Sequence, residues 1–234
     1  CLYRLFEVLP HEGAKLILSA RREDELKRVA ANCKIESANI LVLPLDLENT
    51  QNIDEKTNVV IQKFGRIDVL VNNSGMGHRS RVVDTPSQID RKIMEINFFG
   101  TVILTKAVTR IMQKQQSGKI VVVTSIMVKY GMPIYATYSA SKHALNGYFE
   151  SLRCEVFKDN IKVLVVCPGF VNTDVDTKLI TADGKPYGIK SESLKKAMPT
   201  SECAKGIVSA IKSNDEHKYI GGYEIFSVFV KQFF

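Results

Sequence analysis

Tyr138 and Lys142 stand four residues apart in a run, 136–157, whose apolar spacing predicts a helix, so both side chains fall on one face of it. A phenol titrates near ~10 and is a poor acid–base group at neutral pH. A nearby ammonium favours phenolate and lowers that value. The pair can then give a proton to a carbonyl oxygen, or take one from an alcohol. Ser125 ends the preceding apolar run, thirteen residues before Tyr138. Its hydroxyl is placed to stabilise charge on the same oxygen. Two further tyrosines, Tyr130 and Tyr135, lie just upstream of Tyr138.

Such residues need a scaffold, and the chain supplies one by alternation. Continuous apolar runs of strand length occur at 14–20, 39–45, 67–71, 119–125 and 161–167. Runs of helical spacing at 22–33, 52–65 and 136–157 separate them, with another long helix starting after Thr85-Pro86-Ser87-Gln88. That tetrapeptide reads as a capping box with proline at the first helical position. Strands apolar throughout are buried on both faces, as in a parallel sheet covered by helices. The expected fold is α/β, a doubly wound parallel sheet forming a single domain over 1–234. In such a sheet ligands lie beyond the carboxyl ends of the strands.

Composition sets outer bounds. The chain has 234 residues, 45% of them hydrophobic and 24% charged, which is the balance of a globular domain. The formal charge of +7 is spread rather than blocked, which argues against nucleic acid and leaves a phosphorylated ligand or an anionic membrane surface. Five cysteines, odd in number and without a CxxC, read as buried free thiols rather than a metal site. No apolar run reaches the ~18 residues of a membrane span, and the opening residues do not read as a signal peptide.

With these residues in view, the sequence resembles a short-chain dehydrogenase/reductase. The resemblance rests on "NNSG" at 72–75, Asn97 in "INFFG", Ser125, the YxxxK pair Tyr138/Lys142, and "PGFVNT" at 168–173. It covers roughly residues 14 to 225, and the details are most similar to the member 7 subgroup of the dehydrogenase/reductases. The resemblance implies that Tyr138 is the acid–base and that Lys142 lowers its pKa and holds the nicotinamide ribose. It implies that Ser125 orients the substrate oxygen and that Asn97 supports a proton-relaying water. Pro168, Gly169, Val171 and Thr173 would line the nicotinamide. Asp46 and Leu47 would flank the adenine, and Asn73, Ser74 and Gly75 the adenosine side. Tyr135 is expected to shape the substrate pocket, whereas Tyr130 reads as a packing residue. The subgroup further implies an endoplasmic-reticulum membrane location, and relatives are commonly homo-oligomers.

The cofactor can be argued from charge. The first apolar run ends in Arg21-Arg22 with no acid at its end, which favours NADP(H) over NAD(H), because a guanidinium forks onto the ribose phosphate. The plain alternative is that both arginines solvate a helix start. The loop 170–199, with Phe170, Val175, Leu179 and Ile180, suggests a lipophilic carbonyl or alcohol, steroid-like, retinoid-like or xenobiotic. One family feature is missing. No TGxxxGxG turn precedes "AKLILSA", and the "GMG" at 75–77 belongs to the NNSG loop. The family's first strand, central in the sheet, has no counterpart, and "CLYRLFEVL" is expected to be helix or disorder. The chain therefore reads as a piece with its catalytic half present. Two functions compete: an NADP(H)-dependent oxidoreductase, and a non-catalytic or cofactor-impaired product of the same fold acting through protein interactions.

Overall fold

The computed structural model describes residues 13–33 and 35–226, together with Leu5 and Val228. From the amino end come β1 (Leu16–Leu18), α1 (Glu23–Asn32), β2 (Ile40–Val42), α2 (Ile53–Phe64) and β3 (Val69–Asn72). Next are α3 (Ser87–Met94), α4 (Gly100–Gln115), β4 (Gly118–Val123), α5 (Ala136–Val156) and β5 (Ile161–Pro168). The chain continues through β6 (Val171–Asn172), α6 (Glu192–Lys195), β7 (Met198–Pro199), α7 (Thr200–Lys212) and β8 (His217–Ile220). The main sheet runs β3-β4-β5-β8, all parallel, and β1-β2 and β6-β7 form separate parallel pairs.

The central strands are apolar throughout because each of their faces is covered. Ile120 and Val122 of β4, with Val163 and Val165 of β5, point into a core shared with Val108, Leu145 and Phe149 of the helices. Their neighbours Val121, Val123, Leu164 and Val166 point the other way, onto Cys203, Ala204 and Ile207 of α7. This is the period-two alternation of a strand applied to two layers at once. Helix α5 buries Lys142, Leu145, Phe149, Leu152 and Val156, a single stripe at three- and four-residue spacing. Helix α2 ends at Gly65, whose φ of 78° is left-handed and whose N–H bonds the Ile61 carbonyl. Cys167 and Cys203 are buried free thiols, and Cys154 is an exposed one.

The sheet is divided where the sequence leads one to expect. Among the described residues no strand lies between β1 and β3. Their facing edges instead bound an apolar cavity of about 550 Å³, walled by Leu16, Ile17, Val69 and Val71, with Leu104 and Val108 of α4 beneath. Among the described residues, no strand gives the backbone groups on those edges the ladder partners of a central position in a sheet. The expectation for residues 1–9 lies outside the described residues, apart from Leu5, which is buried against the α7 side of the sheet.

One local expectation is corrected. The capping box does not form: α3 begins at Ser87 after Pro86, without a side-chain cap. The Thr85 hydroxyl is drawn away, donating to the Arg81 carbonyl at 2.8 Å and pairing with Ser80. The last strand of the main sheet is β8, and Tyr223–Ile225 beyond it is a single helical turn.

Candidate active site

Strand β4 delivers Ser125 past its carboxyl end, where the serine Oγ accepts the Met127 N–H at 3.2 Å. Tyr138 sits in the first turn of α5, close enough to Ser125 for the hydroxyl to favour its ionised form. One turn further on, Lys142 is buried, at 4% exposure, and its Nζ donates to the Val123 carbonyl at 3.2 Å. That nitrogen stands 5.6 Å from the centre of the Tyr138 ring. The three residues named by spacing are therefore brought together where β4 ends and α5 begins.

Their electrostatics differ from the expectation that Lys142 lowers the Tyr138 pKa. Burial pushes the Tyr138 phenol above its ordinary value; the Ser125 hydroxyl is what opposes the rise, and the nearby Tyr135 adds to it. Burial also brings the Lys142 ammonium down to about 8, with a small opposing effect from Cys167. Both groups are thus pushed toward their neutral forms by desolvation. The phenol therefore keeps its proton at neutral pH.

Asn97 lies in a π-helical turn, Glu95–Phe99, that widens the junction between α3 and α4. Its Oδ1 accepts the Met76 N–H at 2.7 Å, and its Nδ2 donates to the Met76 carbonyl at 2.8 Å and to Ser141 Oγ at 3.0 Å. Asn97 therefore clamps the loop after β3 onto α5. That loop passes close to the chemistry. A Cβ on Gly75 would stand 3.4 Å from Lys142 Nζ. One on Gly77 would stand 2.5 Å from Leu179 Cδ2 and 3.9 Å from the Tyr138 ring.

The remaining candidates line the carboxyl ends of the strands. Arg21 and Arg22 are exposed beyond β1. Beyond β2, Asp46 accepts the Glu48 N–H at 3.0 Å, and Leu47 is buried. Asn73 and Ser74 follow β3, and Pro168 ends β5. Gly169 N–H bonds the Ile220 carbonyl at 2.8 Å, Val171 is buried in β6, and Thr173 Oγ1 accepts the Val175 N–H at 3.3 Å. This row fits a nicotinamide dinucleotide at its two ends, with exposed guanidinium groups at one and the Ser125–Tyr138–Lys142 set at the other. A glycine-rich backbone cradle for the pyrophosphate is not among the described residues.

Three residues escaped sequence reasoning. Glu224 reaches back from beyond β8, its Oε1 accepting the N–H groups of Phe170 and Gly222, each at 3.1 Å. His78 is buried with neither ring nitrogen hydrogen-bonded, and burial keeps it neutral by lowering its pKa. Arg79 donates to the Tyr135 hydroxyl at 3.1 Å. Only Arg79 left a trace in the sequence, as a cation beside the NNSG loop.

The family model described as "short chain dehydrogenase" matches residues 4–184. Over 221 residues the chain is 37% identical to the "Dehydrogenase/reductase SDR family protein 7-like" of Anopheles gambiae, which covers 91% of this chain and 70% of that one. Over 199 residues it is 43% identical to the human "Dehydrogenase/reductase SDR family member 7", covering 82% of this chain and 58% of that one. The chain thus spans between 58% and 70% of the length of these two relatives. Among solved structures, "ElxO with NADP Bound" superimposes with a TM-score of 0.82 at 24% identity, over 96% of this chain and 93% of that one, a likeness of fold.

Proposed function

The chain belongs to the short-chain dehydrogenase/reductase family, and on that premise we propose that it interconverts a lipophilic carbonyl compound and its alcohol, with Tyr138 handling the proton. The observation that carries this is the half-buried Tyr138 phenol standing next to Ser125 and the buried Lys142. A nicotinamide cofactor, NADP(H) by preference, supplies or takes the hydride when bound. Arg21 and Arg22 would hold its ribose phosphate, and Lys142 the nicotinamide ribose.

In the reducing direction Ser125 holds the carbonyl oxygen and Tyr138 gives it a proton. A phenol whose pKa is raised by burial keeps that proton until an oxygen arrives to take it. Lys142, at about 8, is still largely charged at neutral pH and stabilises the phenolate left behind. Leu179 is buried and Val175 exposed in the segment over Gly77, which supports an apolar substrate of steroid-like, retinoid-like or xenobiotic kind. Among the described residues no helix is long and apolar enough to cross a membrane. A second reading, a cofactor-impaired chain of the same fold, is favoured by the division of the sheet between β1 and β3 among the described residues.

The test is an NADPH titration of this chain, followed by cofactor fluorescence with NADH alongside, and then turnover of Tyr138→Phe. Micromolar NADPH binding with turnover lost in Tyr138→Phe supports the enzyme. A folded chain that binds neither nucleotide supports the second reading. Undiminished turnover in Tyr138→Phe removes Tyr138 from the mechanism.

A further inference from the structure

Residues 179–187 form a small hairpin. Tyr187 N–H bonds the Leu179 carbonyl at 2.8 Å, Thr181 N–H bonds the Lys185 carbonyl at 2.9 Å, and Ile180 bridges Pro186. Gly184, with φ of 79°, makes the turn. The hairpin is tied to the loop after β3 by two backbone bonds, Ile180 N–H to the Gly77 carbonyl at 3.1 Å and Arg79 N–H to the Ile180 carbonyl at 2.8 Å. Both lie on one edge of the hairpin.

Its other end is held by a side chain. The Arg79 guanidinium stands 4.7 Å over the Tyr187 ring and donates to the Tyr135 hydroxyl. Tyr135 immediately precedes α5, three residues before Tyr138. Among the described residues no carboxylate pairs with Arg79, so two phenols and a ring face take the place of an acid. One half-buried cation therefore joins three segments: the loop after β3, the start of α5 and the end of the hairpin. The hairpin also carries Leu179, which fills the space in front of Gly77, a glycine that the Tyr138 ring also approaches.

We propose that Arg79 is a positioning residue that latches this hairpin over Tyr138, holding Leu179 in place as the wall of the substrate cleft. The proposal rests on the reading of Tyr138 as the proton donor. Arg79 acts through Tyr187 and Tyr135 and does not itself touch the reacting atoms. Losing a cation–π contact of this kind changes an equilibrium by roughly two- to thirtyfold, between its exposed and desolvated limits.

The test uses the full chain with Arg79→Ala, Tyr187→Leu, their double variant and Tyr187→Phe. Hydrogen exchange is read on 177–190 first, because it needs no turnover. Arg79→Ala and Tyr187→Leu are each expected to speed exchange there by about tenfold. The double variant should go little further, and Tyr187→Phe, which keeps the ring, should match the parent. Exchange unchanged in Arg79→Ala, or effects that simply multiply in the double variant, overturns the latch. Should Arg79→Ala not fold, Tyr187→Leu against Tyr187→Phe decides alone. The kinetic arm uses NADPH and para-nitrobenzaldehyde as the probe carbonyl. KM for the aldehyde should rise more than kcat falls, with NADPH affinity unchanged, and a fall in kcat alone overturns the positioning role. Faster exchange in a chain without turnover upholds the latch while rejecting the enzyme reading, so the two fail separately.

Discussion

Lys142 is a buried cation whose charge costs stability, and replacing it should make the protein more stable while disabling it. Burial brings its ammonium from the ordinary 10.5 to about 8. At 1.36 kcal/mol per unit that gap is a folding penalty of about 3 kcal/mol while the lysine is charged. The sign follows from the direction. A lysine depressed in the folded state costs stability at all pH values below about 8, and the cost is relieved as pH rises from there toward 10.5. Lys142→Met keeps the length and apolar stem but removes the charge, and it forfeits the bond to the Val123 carbonyl, worth about 1 kcal/mol. The net expectation at pH 7 is a variant about 2 kcal/mol more stable than the parent. By pH 9.5 the parent should have closed that difference by about 2 kcal/mol, because its lysine has deprotonated in the folded state alone. The chain has no tryptophan, so urea unfolding is followed by circular dichroism, with both proteins measured at each pH. A variant less stable at pH 7, or a difference that stays constant with pH, would refute the reasoning. It would mean that water reaches Lys142 and that no desolvation is being paid for.

Gly100→Ala should destabilise severely, by about 3 kcal/mol or more, because its Cβ would stand 2.1 Å from the Leu47 carbonyl oxygen, a backbone atom that cannot step aside cheaply. Thermal melts check this, and a loss within about 0.5 kcal/mol would show that the β2 side of the molecule moves freely against α4. Arg21→Ala should weaken NADPH by about tenfold while sparing NADH, as expected for one exposed charge-assisted contact to phosphate. Parallel titrations giving equal losses would return Arg21 to the role of a solvating surface charge.

The layered fold was legible because it is written in periodicity. Continuous apolar runs such as 161–167 have one physical explanation, burial on two faces, and β5 is buried that way. The Tyr138/Lys142 pair was legible for a similar reason, since helical spacing alone puts them on one face. What spacing cannot carry is the environment. Whether Tyr138 is pushed up or down depends on how much water is excluded around it and how far Lys142 Nζ lies from its oxygen, and neither is encoded locally. Thr85 shows the same limit at small scale, because a capping signature was outbid by Ser80, a partner five residues earlier. The Arg79 contacts were invisible because Tyr187 lies over a hundred residues away and is reached only through the hairpin's turn.

The divided sheet bears on how the two halves of the proposed chemistry depend on each other. Ser125, Tyr138 and Lys142 stand on β4 and α5, inside the continuous sheet β3-β4-β5-β8. Arg21, Arg22, Asp46 and Leu47 stand on the β1-β2 pair. Among the described residues no ladder bonds cross the cavity, and side-chain packing is what joins the β1-β2 pair to the four-stranded sheet. Val60, Ile61 and Phe64 of α2 pack against Leu104, Val108 and Ile111 of α4, and Leu47 meets Gly100. A shift at that contact moves the adenosine end relative to Tyr138 without disturbing the placing of Ser125 beside Tyr138. Nucleotide affinity and proton-transfer geometry are therefore separable here, more than in a sheet bonded from edge to edge. An intact catalytic set does not by itself argue for tight cofactor binding, and weak cofactor binding would not argue against the catalytic set.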